Sequence, residues 1–205
     1  MTRDLFANGE LELLDLPDAD IYYAARVDLG ADPDLILKEL IEHIPWRTEV
    51  INLWGKEYQQ PRLAAWFGDA GARYTYSGLS LEPLPWTDAL STLRSRVEAL
   101  AGASFNSVLL NYYRDHRDGM GMHSDDEPEL GRNPTIASVS LGERRTFVLK
   151  HRFRKELKPT HLLLDHGSLL LMKGATQHNW KHGINKVSHP CGPRVNLTFR
   201  RIGVS

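Results

Sequence analysis

Apolar positions recur at two different periods along the chain. Leu37, Leu40, Ile41 and Ile44 follow helical spacing, with Asp32-Pro33 as a cap and first-turn proline before them and Pro45 as the stop after them. Leu90, Leu93, Val97 and Leu100 repeat the pattern in a second helix that starts near Thr87 and ends at Gly102. From Phe105 onward the period shortens. The runs Phe105–Tyr113, Thr135–Leu141, Thr146–Lys150, His161–Leu164, Ser168–Met172 and Val195–Arg200 are short and β-prone, with Gly, Pro, Asn and Asp between them. Many short strands without helical crossovers predict an antiparallel sandwich or barrel, so the fold class is α+β, mainly β. Residues 1–31 read as an irregular or strand-containing lead-in, and Glu49 to Ser80 as a polar and aromatic stretch rich in Gly. The organisation is an acidic N-terminal extension and first helix (1–45), a middle segment with the second helix (46–104) and a β core (105–205), all within one domain of 205 residues.

Composition narrows the class. The lone cysteine, Cys191, excludes an intrachain disulfide and a cysteine-rich metal site. It suits a reducing compartment, cytoplasmic or nuclear, and not secretion. The start Met1-Thr2-Arg3-Asp4 has no apolar leader, and no apolar run is long enough to span a membrane. Net charge is −1, but its distribution is lopsided. Residues 1–42 carry 11 acids and 3 bases, while residues 144–205 carry 13 Lys and Arg against Glu156 and Asp165. A basic C-terminal third suits a polyanion; solvated surface charge is the plain alternative.

His123-Ser124-Asp125 is the candidate for chemistry. On a strand, residues i and i+2 share a face, so imidazole and carboxylate can meet at one ion. Two His and one carboxylate leave coordination positions open for a cosubstrate and O₂. Chance alone supplies roughly 0.6 His-x-Asp matches at this composition, and His116-Arg117-Asp118 is a second match, set in a loop beside Gly119 and Gly121. Spacing leaves His178, His182 and His189 open as the third ligand. Arg194, Asn196, Thr198 and Arg200 alternate with Val195, Leu197 and Phe199. That pattern fits a strand with one wet face, and equally an inward polar face whose arginine forks grip a dicarboxylate.

Taken together these blocks resemble the AlkB family of iron(II)/2-oxoglutarate-dependent dioxygenases. The matching stretches are Leu110-Asn111-Tyr112-Tyr113, Gly121-Met122-His123-Ser124-Asp125-Asp126-Glu127, Ile136 to Gly142, His166-Gly167-Ser168-Leu169, Trp180-Lys181-His182 and Pro193 to Arg200. Upstream, Pro61-Arg62, Gly68 to Gly71 and Tyr74 to Gly78 extend the likeness, most toward the subgroup that acts on duplex DNA. The resemblance implies a double-stranded β-helix (jelly roll) under a nucleotide-recognition lid. It assigns iron to His123, Asp125 and His182, and 2-oxoglutarate to Asn111, Tyr113, Arg194 and Arg200 with Asn196 and Thr198 nearby. Arg194 is expected at the far carboxylate and Arg200 near the iron. Tyr74, Tyr76 and Ser77 become lid residues and Glu127 a reader of the flipped base. Trp54 takes the place of an aromatic wedge, and Arg62, Arg152 and Arg154 are candidates for phosphate contact.

The expected activity is oxidative demethylation of bases of the 1-methyladenine and 3-methylcytosine type, with Fe(II) as cofactor and 2-oxoglutarate and O₂ as cosubstrates. The expected partner is double-stranded DNA approached by base flipping, met by a monomer. Three rivals stay open. One is the same chemistry on RNA or on a protein side chain; the aromatic lid and basic third favour nucleic acid over protein and leave RNA open. Another is a non-enzymatic nucleic-acid-binding jelly roll, and the third a zinc hydrolase, which would not need Arg194 or Arg200.

Overall fold

The computed structural model describes residues 9–53, 56–72, 74–76 and 79–203. β1 (Glu12–Leu13) and β2 (Asp20–Ala24) precede α1 (Pro33–His43). β3 (Val50–Leu53), β4 (Lys56–Gln59), β5 (Leu63–Gly68), β6 (Tyr74–Tyr76) and β7 (Leu79–Leu81) lead to α2 (Asp88–Ala101). Then come β8 (Ser107–Tyr113), β9 (Met120–His123), a 3-10 turn at Pro128–Leu130, β10 (Ile136–Gly142) and β11 (Arg145–His151). β12 (Thr160–Leu164), β13 (Ser168–Lys173), the four-residue α3 (Thr176–Asn179), β14 (Trp180–Ile184) and β15 (Arg194–Arg200) complete the chain.

Both long helices end where the local chemistry says they should. The Asp32 carboxylate accepts from the Asp34 N–H, with Pro33 at the first helical position. The Thr87 hydroxyl accepts from the Leu90 N–H, and Gly102 closes α2 in the left-handed conformation at φ 61°. Leu90, Leu93 and Val97 are buried as the spacing predicts, but Ala101 and not Leu100 completes the buried stripe. The small residue lets the last turn sit against the sheet.

The strands form two facing antiparallel sheets. The larger runs β1-β2-β13-β10-β15-β8-β5 and the smaller β12-β11-β14-β9. β3 with β4 and β6 with β7 form separate two-stranded ribbons. This is the mainly-β α+β architecture expected, two antiparallel sheets of the jelly-roll kind. β2 and β5 are integral to the large sheet, so the N-terminal and middle segments are woven into the same layer as the β core. β14 and the paired part of β9 escape the periodicity because Trp180-Lys181-His182-Gly183 and Met120-Gly121-Met122 show no clear alternation.

β15 is the pivot. It is flanked by β10 and β8 and buried along its whole length, so neither face is wet. Val195, Leu197 and Phe199 join Leu40, Leu90, Val97 and Phe105 in the core under the helices. The opposite face of the large sheet looks toward the small sheet, where Tyr23, Tyr113, Ile136, Phe147, Leu149 and Trp180 form a second core. Burying each apolar side chain of β15 is worth about 1.5–3 kcal/mol. That anchorage makes the polar face of the strand a rigid platform.

Candidate functional site

β14 sits between β11 and β9, and its register places His182 directly opposite His123. Directly opposed residues of an antiparallel pair bring their Cβ atoms to about 5 Å. The two imidazoles accordingly meet edge-on, with ring centroids 4.4 Å apart. Phe147, on β11, stacks on His182 at 5.1 Å and fixes its ring plane. The Nδ1 of His123 lies 2.9 Å from the Gly121 carbonyl, so it carries the proton and leaves Nε2 free as a ligand.

Asp125 arrives by a different route from the one spacing suggests. β9 ends at His123, so the carboxylate is not presented by a continuing ladder. Side chains of the α3–β14 segment do that work. The Asp125 N–H donates to Gln177 Oε1 at 3.0 Å, and the Ser124 hydroxyl donates to the Trp180 carbonyl at 2.9 Å. The carboxylate then lies 3.7 Å from His123 Nε2 and 3.8 Å from His182 Nε2.

His123, Asp125 and His182 offer donor atoms that all lie within 4.8 Å of one another. Octahedral coordination at about 2.1 Å needs neighbouring donors about 3 Å apart, so the two contacts of Asp125 with the histidines must tighten by less than an ångström. The set therefore fits a divalent ion of the iron(II) type. The rival His116-Arg117-Asp118 does not form one. Asp118 is consumed by the Arg114 guanidinium at 2.8 and 2.9 Å and by its N–H at 2.9 Å. His178 packs its Nε2 against the Arg132 carbonyl and Asn133 Oδ1, which removes it from the metal and from any support of it.

Electrostatics suit metal binding. Burial alone would push the Asp125 carboxyl up, but Arg200 at 2.7 Å, together with His182 and His123, outweighs that, and the group is held at about 2. Burial, with His123 and Arg200 adding to it and Asp125 opposing, pushes His182 down to about 3. Both ligands are thus in the metal-binding state at neutral pH. A consequence can be measured on the metal-free protein. His182 ordinarily titrates at 6.5, so below that the unfolded chain takes up a proton that the fold refuses. The stability it contributes is present above pH 6.5 and drains as pH falls toward 3, at up to about 1.4 kcal/mol per unit. Urea unfolding across this range is expected to show that slope, and His182→Gln is expected to flatten it.

Beside the triad the polar face of β15 lines a pocket with Asn111, Tyr113, Met120, Ser138, Phe147, Met172 and Ile184. Arg194 is 1% exposed. Its Nη2 donates to Ser140 Oγ at 2.9 Å and Asn196 Oδ1 at 3.1 Å, while Nε and Nη1 have no hydrogen-bond partner among the described residues. Its guanidinium lies 5.0 Å from the Tyr113 ring centroid. Ser138 and Thr198 complete the polar chain through Asn196. A buried cation with unspent donors is costly unless an anion comes to it, and burial does press its proton affinity down. Arg200 is held against Asp125 at the metal end, and Arg194, at the other end of the same polar strand face, lines the same pocket. A dicarboxylate suits that pocket by charge, with one carboxylate toward the metal and the other toward Arg194.

A second cleft of about 210 Å³ opens on the other side of the metal centre. Trp66, Ala65 and Leu109 make its apolar wall; Glu49, Gln60, Arg62 and Glu127 make the polar one. Arg62 corrects the expectation of an outer phosphate contact. It is buried, donating from Nε to Asn111 Oδ1 at 2.7 Å, so it joins the cleft to the cosubstrate pocket. Arg152 is exposed and paired with Asp126 at 2.8 Å, next to the metal ligand Asp125, and Arg154 is tied to Glu156 and Asp18. Trp54 and Ser77 lie outside the described residues. Tyr74 and Tyr76 lie on β6, whose backbone pairs with β7. Gln177, Ser124, Phe147 and Trp180 support the ligands without any signal in their spacing, since their roles depend on contacts more than twenty residues distant.

A family model described as "2OG-Fe(II) oxygenase superfamily" matches residues 31–200. The chain is 44% identical over 188 residues to human "Alpha-ketoglutarate-dependent dioxygenase alkB homolog 3", covering 88% of this chain and 65% of that protein. It thus spans just under two thirds of that relative's length. It is 41% identical over 181 residues to mouse "DNA oxidative demethylase ALKBH2", covering 84% of this chain and 76% of the mouse protein. Among solved structures, "The structure of OsALKBH1" superposes with a TM-score of 0.59 at 16% identity, over 93% of this chain and 99% of that one, a likeness of fold alone.

Proposed function

Because the chain belongs to the 2OG-Fe(II) oxygenase superfamily and, within it, to the AlkB homologue family, we propose that it removes N-alkyl groups oxidatively from nucleic-acid bases. The substrates are 1-methyladenine and 3-methylcytosine type lesions in DNA. The observation that carries this reading is the juxtaposition of three parts: a two-His, one-carboxylate centre, a buried arginine with unspent donors beside it, and an open cleft that shares His123 and Asp125.

Iron(II), 2-oxoglutarate and O₂ supply the oxidising chemistry, which hydroxylates the N-alkyl carbon while 2-oxoglutarate becomes succinate and CO₂; the hydroxymethyl product then loses formaldehyde. The chain supplies position. His123, Asp125 and His182 would hold the metal. Arg194, with Ser140 and Asn196 beside it, would orient the distal carboxylate. Arg200 keeps Asp125 ionised and pointed inward. Met120, Phe147, Met172 and Ile184 would give the cosubstrate an apolar flank that limits the approach of water.

The cleft of about 210 Å³ has room for one extruded base. Glu127, two residues from Asp125, faces it and complements a cationic methylated ring. Tyr74, Tyr76 and Ser77 would form the lid over that base, and Trp54 the wedge that fills the gap it leaves in a duplex. Arg152 and Arg154 would meet phosphates by exchanging their present carboxylate partners.

Purified protein with iron(II), ascorbate and 2-oxoglutarate is expected to release formaldehyde from single- or double-stranded DNA carrying 1-methyladenine or 3-methylcytosine. No release from any DNA, with release from RNA or none at all, would overturn the DNA reading. Glu127→Gln is expected to slow turnover of a cationic lesion roughly tenfold relative to a neutral alkylated base such as an etheno adduct. The ratio of kcat/KM for the two lesions measures it, and an unchanged ratio removes Glu127 from the recognition of charge.

A further inference from the structure

The segment 17–20 carries no strand of the small sheet and nothing in its sequence marks it, yet it is stitched to the piece of chain that builds the metal centre. The Trp180 indole N–H donates to the Pro17 carbonyl at 2.9 Å, and the Asn179 side-chain amide donates to the Asp18 carbonyl at 3.2 Å. The Asp20 N–H donates to Thr176 Oγ1 at 2.9 Å. These three bonds land on α3 and the first residue of β14, within the stretch from Thr176 to His182.

Asp18 adds a fourth tie to a neighbouring element. Its Oδ2 lies 3.3 Å from His151 Nε2 and 3.6 Å from Arg154 Nη1. His151 Nδ1 accepts from the N–H groups of Phe153 and Arg154, so a neutral ring carries its proton on Nε2, close to that carboxylate but not aligned on it as a hydrogen bond. The same imidazole packs edge-on against Trp180, with centroids 5.0 Å apart. Asp18 does this at φ 58°, the one non-glycine positive φ among the described residues. The left-handed region is disfavoured for L residues, and Asp and Asn tolerate it best. A disfavoured conformation persists where its surroundings over-determine it.

The stretch clamped this way holds the metal ligands. His182 lies two residues beyond Trp180. The Trp180 carbonyl accepts the Ser124 hydroxyl, and Gln177 accepts the Asp125 N–H. We propose that residues 17–20 form a clasp over α3 and the start of β14, and that Asp18 is a positioning residue for the metal ligands His182 and Asp125. The clasp sets the depth of Trp180, and through Trp180 and Gln177 the approach of Asp125 to His182. The inference rests on His123, Asp125 and His182 being a divalent metal site.

The test is titration of the metal-stripped full chain with Co(II), read by its visible absorption bands, alongside a thermal melt. Asp18→Gly keeps the backbone conformation accessible and removes the carboxylate. It is expected to weaken Co(II) binding roughly tenfold or more and to change the band shape. Asp18→Asn keeps an acceptor and tolerates the same φ, so it is expected to recover most of the loss. Val97→Ala, in the core under α2, is the control for stability: it is expected to melt earlier with unchanged Co(II) affinity and spectrum. Wild-type affinity in Asp18→Gly overturns the clasp, as does a loss in Val97→Ala as large as in Asp18→Gly. Failure of the wild type to bind Co(II) at all overturns the metal reading itself, and the clasp with it.

Discussion

His182→Ala is expected to release formaldehyde from a methylated oligonucleotide at a rate roughly a thousandfold or more below wild type, and to lose most of its affinity for iron(II). The reason is geometric. His182 is held from three directions: by ladder pairing with Leu149, by stacking on Phe147 and by its register opposite His123. His178 cannot take its place, because it is engaged by the Arg132 carbonyl. The truncation also opens a void beside Phe147, at a cost of about 1–3 kcal/mol, so part of a low yield would be folding. His182→Gln separates the two effects, since it fills the space without supplying an imidazole. Both variants are expected to fold with a native circular dichroism spectrum. The measurement is Co(II) affinity together with single-turnover formaldehyde release. Wild-type turnover in either variant would remove His182 from the metal.

Much of this arrangement is legible from the chain because it rests on short-range patterns. The caps Asp32 and Thr87, the stop at Gly102 and the alternation of Val195, Leu197 and Phe199 are each decided by residues within a few positions. The polar half of β15 is different. Arg194, Asn196, Thr198 and Arg200 read equally as a wet face or an inward one, and what decides it is the small sheet laid across them. The support of Asp125 is likewise hidden. It comes from Gln177, 52 residues away, and from a strand, β14, whose composition does not alternate. Arg62 is set by long-range pairing too: its burial against Asn111 depends on β5 lying beside β8, which nothing near Pro61-Arg62 encodes. The acidic front conceals most of all, since Ile21-Tyr22-Tyr23 suggests a strand but not its partner, and the turn before it is in fact fastened onto α3 while β2 joins the large sheet.

Arg194→Met is expected to move function and stability in opposite directions. The 2-oxoglutarate KM is expected to rise roughly a hundredfold or more, because a buried guanidinium–carboxylate contact is worth about 2–5 kcal/mol when one partner is removed. In the cosubstrate-free protein the same guanidinium is a liability. It is almost fully buried, two of its nitrogens have no partner among the described residues, and Arg145 lies close enough to disfavour its charge further. Methionine fills a similar volume without the charge, and exchange of an unpaired buried ion for an apolar chain is neutral or stabilising. The variant is therefore expected to melt at or above the wild-type temperature without 2-oxoglutarate. Wild type is expected to gain stability as the metal-loaded protein is titrated with 2-oxoglutarate, by about 2.7 kcal/mol at a hundredfold excess over Kd, and the variant is expected to gain almost nothing at that concentration. The two melting curves should cross as cosubstrate is added. If Arg194→Met instead melted several degrees lower and still shifted with 2-oxoglutarate as wild type does, Arg194 would be a structural residue of β15, and the dicarboxylate would have to be held elsewhere.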